Sequence, residues 1–115
     1  LDIKHQLEVV EIIREMVAER GISAIMAVHD LNLASKYTDR IIMMKEGRIV
    51  DQGVPSEVLT QENIRSVYGV VAEVINNNGS SPHVIPVKSL RHQKNSEFGE
   101  LSAKISQKEH AKVIA

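Results

Sequence analysis

The chain predicts an α/β domain with a partial, mostly parallel sheet, and three stretches carry that prediction. Residues 2–20 repeat apolar side chains at helical spacing, residues 22–28 form an apolar run without strict alternation, and residues 41–53 read as two short strands around a glycine turn. An apolar run that does not alternate is what a strand covered on both faces requires. That run ends abruptly in His29-Asp30-Leu31-Asn32, so a histidine stands where a buried strand gives way to a helix. In open α/β sheets the carboxyl ends of the strands border the crevice that takes nucleotides and phosphates, which makes His29 the first candidate functional residue.

Taken in order, Ile3, Leu7, Val10, Ile13 and Val17 paint one stripe on the first helix. Asp2 is placed to cap its start and Gly21 to close its end. Residues 22–28 are expected to run centrally in the sheet. A short helix over 30–38 follows, capped by Asp30, with Leu31, Leu33 and Ala34 available for packing. Ile41 to Met44 then pairs with Arg48 to Gly53 across Glu46-Gly47. Pro55 opens a one-turn helix, and Thr60 caps another that runs through Tyr68 to a stop at Gly69. Val70 to Ile75 and His83 to Val87 make a strand pair around Asn76-Asn77-Asn78-Gly79.

Past Val87 the apolar signal fades. Only Phe98, Leu101 and Ile105 keep a helical spacing, and the composition turns basic: residues 88–115 hold 6 Lys/Arg against 3 Asp/Glu, where residues 1–87 hold 8 against 12. The expected organisation is therefore a body over 1–87 and a flexible polar, basic tail over 88–115, removable without loss of folding. An excess of three charges without interleaved aromatics is too small for nucleic-acid binding, whose affinity scales with the phosphates neutralised. The chain has no cysteine, which excludes disulfides and thiolate metal sites. No apolar stretch approaches the ~20 residues that span a bilayer.

Metal binding by His29-Asp30 is disfavoured, because adjacent residues point apart and neither His5 nor His83 has a spacing that brings it near. Met43-Met44 reads as core filler rather than as a soft-metal site. For His29 the bland alternative is a core histidine satisfied by a backbone carbonyl, and for Asp2 it is a plain helix cap.

The sequence "AVHDLNLA", then "TDRIIMMKEGRIVDQGVPSEVLT" and "IRSVYGV", resembles the C-terminal half of an ATP-binding subunit of an ABC (ATP-binding cassette) transporter, above all the branch that energises import of iron chelates and cobalamin. The resemblance covers about residues 1–87 and implies the C-terminal part of a P-loop NTPase-like fold. It implies that Leu1-Asp2 ends the D-loop, with Asp2 communicating across a dimer of ATPase subunits. It makes His29 the switch histidine at the γ-phosphate, and Asp30, Leu31, Asp39 and Arg40 its habitual neighbours. ATP and Mg2+, membrane permease subunits and a second ATPase subunit are implied for the full-length parent, at the inner face of the membrane.

The sequence departs from the family in what it does not contain: the phosphate loop of the form G-x-x-x-x-G-K-[ST], the glutamine loop, the Leu-Ser-Gly-Gly-Gln-like signature and the Asp-Glu pair for magnesium. Phosphoryl transfer needs a backbone-and-Lys cradle, a bridging metal and a group orienting the nucleophile, and only a helper of the last kind is present. The expectation is a piece of something larger that neither binds ATP nor turns it over alone and that self-associates through exposed sheet edges. A non-catalytic interaction module that binds a partner chain is the alternative.

Overall fold

The computed structural model describes residues 2–76, 81–91 and 110–114 of the 115-residue chain. Helix α1 (Ile3–Arg20) begins where the Asp2 carboxylate accepts the His5 N–H at 2.9 Å and ends at Gly21, whose φ of 62° is the left-handed cap that glycine adopts at no steric cost. Strand β1 (Ile25–Val28), helix α2 (Leu31–Tyr37), strands β2 (Arg40–Lys45) and β3 (Arg48–Gly53) follow. The β2–β3 turn places both Glu46 and Gly47 at positive φ, the backbone that matches strand twist in a two-residue hairpin. After α3 (Pro55–Val58) come α4 (Gln61–Tyr68), β4 (Val70–Ile75), β5 (His83–Ser89) and β6 (His110–Ile114). Thr60 caps α4 through the Asn63 N–H at 3.1 Å, as its sequence position predicts.

The sheet differs from the one expected. Its order is β1-β6-β2-β3, every neighbouring pair is antiparallel, and β4–β5 forms a separate two-stranded sheet. Because β1 and β2 both run antiparallel to β6, they are parallel to each other with one strand between them. The physical reason is connectivity. A directly paired parallel neighbour needs a crossover of a dozen or more residues, whereas only residues 29–39 join β1 to β2 through α2, and the two strands do not pair directly. Strand β6 fills the gap from the far end of the chain.

The strand expected to be central and covered is likewise an edge strand, with Ile25 71% exposed. The segment expected to be a peripheral tail contributes Lys88 and Ser89 to β5 and all of β6. Phe98, Leu101 and Ile105 lie outside the described residues.

The core sits further along the chain than the first strand. Ile41 and Met43 of β2, Val58 at the end of α3 and Leu59 after it, Ile64 and Val67 of α4, and Ala72 and Val84 of the second sheet pack into one buried cluster. Met43 is thus core, as its surroundings in the sequence predict. Polar side chains brace this unit from outside. Asn63 Nδ2 donates to Asp51 Oδ2 and to the Val58 carbonyl, each at 2.8 Å, and Lys45 Nζ donates to the Ser66 carbonyl at 2.8 Å.

Helix α1 is attached more lightly. Val10 is buried, Leu7, Ile13 and Val17 are half-buried, and Ile3 at the head of the predicted stripe is exposed. An exposed bridge, Arg14 Nη1 to Asp39 Oδ2 at 3.0 Å, joins the helix to the residue before β2, and such pairs contribute at most about 1 kcal/mol. No helix among the described residues is long and apolar enough to cross a membrane.

Candidate functional site

His29 stands immediately after the last residue of β1 and is exposed, so it is not a core histidine. The turn that presents it is built by local chemistry. Asp30 leaves the strand in extended backbone, and its Oδ1 accepts the N–H groups of Asn32 at 3.0 Å and Leu33 at 3.1 Å. That cap satisfies two of the donors that the first turn of a helix leaves open.

Beside His29 lies a cavity of about 300 Å³ whose walls are largely apolar: Leu31, Ile64, Val70, Val84 and Pro86, with Tyr68. The turn therefore faces the junction of α4 with the second sheet. A second cavity, of about 750 Å³, is lined by Ile3 and Leu7 of α1, Leu33, Lys36 and Tyr37 of α2, and Pro82 and His83 at the start of β5. Asp2 caps α1, and its Oδ1 is also 3.0 Å from His5 Nδ1. The chain neighbours of the two predicted site residues, Ile3 and Asp30, both line the second cavity, whereas His29 lines the apolar one, which Asp30 also borders.

Sequence reasoning missed Asn32. Its Oδ1 accepts the Val84 N–H at 2.7 Å and its Nδ2 donates to the Val84 carbonyl at 3.0 Å, across 52 residues of chain. Ser35, one turn later and buried, donates to the Pro82 carbonyl at 2.6 Å. No local signal marks either residue, since an Asn two positions after a capping Asp reads as an ordinary first-turn residue.

The lining of the apolar cavity does not suit a magnesium nucleotide. A triphosphate wants free backbone donors and a cation, but the N–H groups of Asn32 and Leu33 are bonded to the Asp30 carboxylate, and the cavity beside His29 has no Lys or Arg in its walls. No group of three or more His, Cys, Asp or Glu that could hold a metal occurs among the described residues. What the turn offers is one exposed imidazole at a strand end.

No protein-family profile matches the chain. Individual proteins do. The chain is 40% identical over 75 residues to the hemin import ATP-binding protein HmuV of Bordetella avium, an overlap that covers 65% of the chain and 29% of that protein. It is 46% identical over 87 residues to an uncharacterized ABC transporter ATP-binding protein of Methanocaldococcus jannaschii, covering 76% of the chain and 34% of the relative. It is 38% identical over 88 residues to the ferric enterobactin transport ATP-binding protein FepC of Escherichia coli, covering 76% and 32%. By sequence the chain is a relative of ABC-transporter ATP-binding subunits of the iron-chelate and haem import type, and it spans about a third of the length of the curated relatives it matches.

Proposed function

We propose that these residues are the portion of an ABC import ATPase subunit that runs from the D-loop to the C-terminus, in a system importing haem, iron-siderophore or cobalamin, and that they hydrolyse no ATP alone. In this reading His29 is the switch residue that positions the γ-phosphate, and Asp2 closes the D-loop toward a second ATPase subunit. The full-length parent uses ATP and Mg2+ and works at the inner face of the membrane through permease subunits. The portion that resembles such subunits ends near residue 87.

The observation that carries the reading is the place of His29: exposed, at the carboxyl end of a strand, on a capped turn into a helix. Identity of 38% over 88 residues to a ferric enterobactin transport ATP-binding protein supports it. A single donor aimed at developing charge is worth a few kcal/mol in a complete site. The test is His29→Ala in a full-length subunit carrying this sequence. ATP binding stays largely intact while turnover falls at least about tenfold, the scale of ~1.4 kcal/mol in the barrier. Wild-type turnover would remove His29 from the chemistry.

A second reading, a non-catalytic module that binds another chain, draws on a different observation. Val9, Ile12 and Met16 form an exposed apolar row on α1, and the outer edge of β1 has no strand partner among the described residues. Titrating the 115-residue chain with ATP separates the two: micromolar binding argues against the module, whereas no binding together with capture of a partner leaves the transporter reading to ancestry alone.

A further inference from the structure

The geometry points to Asn32 as a positioning residue for the His29 turn: by pairing with both main-chain groups of Val84, its carboxamide ties the start of α2, and the imidazole three residues earlier, to the β4–β5 hairpin. The bonds are 2.7 and 3.0 Å long and partly buried. A carboxamide carries one acceptor and a donor pair in a plane, so it presents to an extended strand the same pattern as a neighbouring strand would. Val84 is opposite Val74 in the hairpin register, and its N–H and C=O turn outward, away from β4. Two residues on, Pro86 has no N–H to offer on that edge. One amide side chain therefore takes up the outward groups of Val84, and a proline removes the next N–H, on the edge of β5 that another strand would otherwise seek.

The tether reaches His29 through a short relay. Asp30 Oδ1 accepts the Asn32 N–H, so Asn32 is bonded at its main chain to the residue that follows His29 and at its side chain to Val84. Helix α2 has seven residues, fewer than a helix needs to hold itself in water, so its orientation is set by what it is tied to. Ser35, on the same face one turn later, bonds Pro82 and fixes the rotation of the helix about the first tether. A displacement of the hairpin is thereby transmitted to the turn. This inference concerns the turn itself and stands or falls without reference to ATP chemistry, so it and the proposed function fail separately.

The test is histidine NMR on the 115-residue chain labelled with 13C in its five imidazoles, with His29 assigned by His29→Gln. In Asn32→Ala, recorded well below its melting temperature, the His29 signal moves by more than its linewidth or broadens through exchange. His83, beside the freed Val84, moves with it, and His5 on α1 stays. Asn32→Asp keeps the acceptor for the Val84 N–H and loses the donor, so its His29 signal moves part of the way. A His29 signal that superimposes on wild type in Asn32→Ala, with only the melting temperature lowered, overturns the proposal. Should Asn32→Ala fail to fold, an unmoved His29 signal in Asn32→Asp overturns it equally.

Discussion

Ending the chain after Glu109 removes β6 and sets composition against topology. The strand is paired at four residues with β1 and at five with β2. At about one hydrogen bond per pair and ~0.5–1 kcal/mol net for each, the two ladders contribute on the order of 5–9 kcal/mol. Holding five residues extended costs about 1–2 kcal/mol of backbone entropy each, which nearly cancels that gain.

The sign is decided by β1, which has no other strand partner among the described residues. Without β6 its four residues fray, and the half-buried Met26 and Val28, the latter packed against the core, return to water. At roughly 1 kcal/mol for each half-buried side chain the net loss is about 2 kcal/mol, a fall of about 10 °C in melting temperature for a domain of this size. Circular dichroism reads the melt, and amide exchange reads β1 directly: Ile25 to Val28 lose protection, while α4 keeps it. A midpoint within about 2 °C of the full chain, with β1 still protected, would refute the ladder argument and make residues 110–115 as removable as their composition suggests.

Two further expectations follow from the same contacts. Asn63→Ala leaves the Asp51 carboxylate and the Val58 carbonyl without their shared donor, and thermal unfolding should show a loss of about 1–3 kcal/mol; an unchanged midpoint would mean that water replaces the amide at no cost. The isolated chain should scatter light as a dimer or larger species at micromolar concentration, through the open edge of β1 and the exposed row on α1, and its midpoint should not rise with ATP and magnesium; a monomer stabilised by millimolar ATP contradicts both halves.

The features that could be read from the sequence are those whose chemistry is local. Asp2, Asp30 and Thr60 cap the helices they precede, Gly21 and Gly69 end theirs at φ near 60°, and Glu46-Gly47 turns the hairpin. Each depends on groups within four residues of itself. The order of the strands is not local. Nothing in the run from Ile22 to Val28 shows that its neighbour comes from residues 110–114, because a strand's partners are set by which edges remain unpaired after the chain has crossed over. The absence of strict alternation there predicts cover on both faces, yet Ile25 and Ala27 are exposed in a strand with one neighbour among the described residues. The same limit applies to the site. The position of His29 follows from the strand-to-helix change, whereas the partner of Asn32 lies 52 residues away with no sequence mark.

His29 consequently sits between two unequal supports. Behind it is β1, whose only strand partner among the described residues is β6; ahead of it is α2, whose Ala34 belongs to the core cluster and whose Asn32 and Ser35 are bonded to the hairpin segment at Pro82 and Val84. A turn held on one side by a dense core and on the other by a ladder of four residue pairs keeps its geometry only while both are in place. Disturbing β6 should loosen the imidazole from the strand side and leave the Asn32 bonds intact, while replacing Asn32 should loosen it from the helix side and leave β1 protected. Val28 of β1 packs against the same core cluster that holds Ala34 of α2 and Val84 of the hairpin, so the two supports share partners and their effects on the turn should be coupled, not additive, when both are removed.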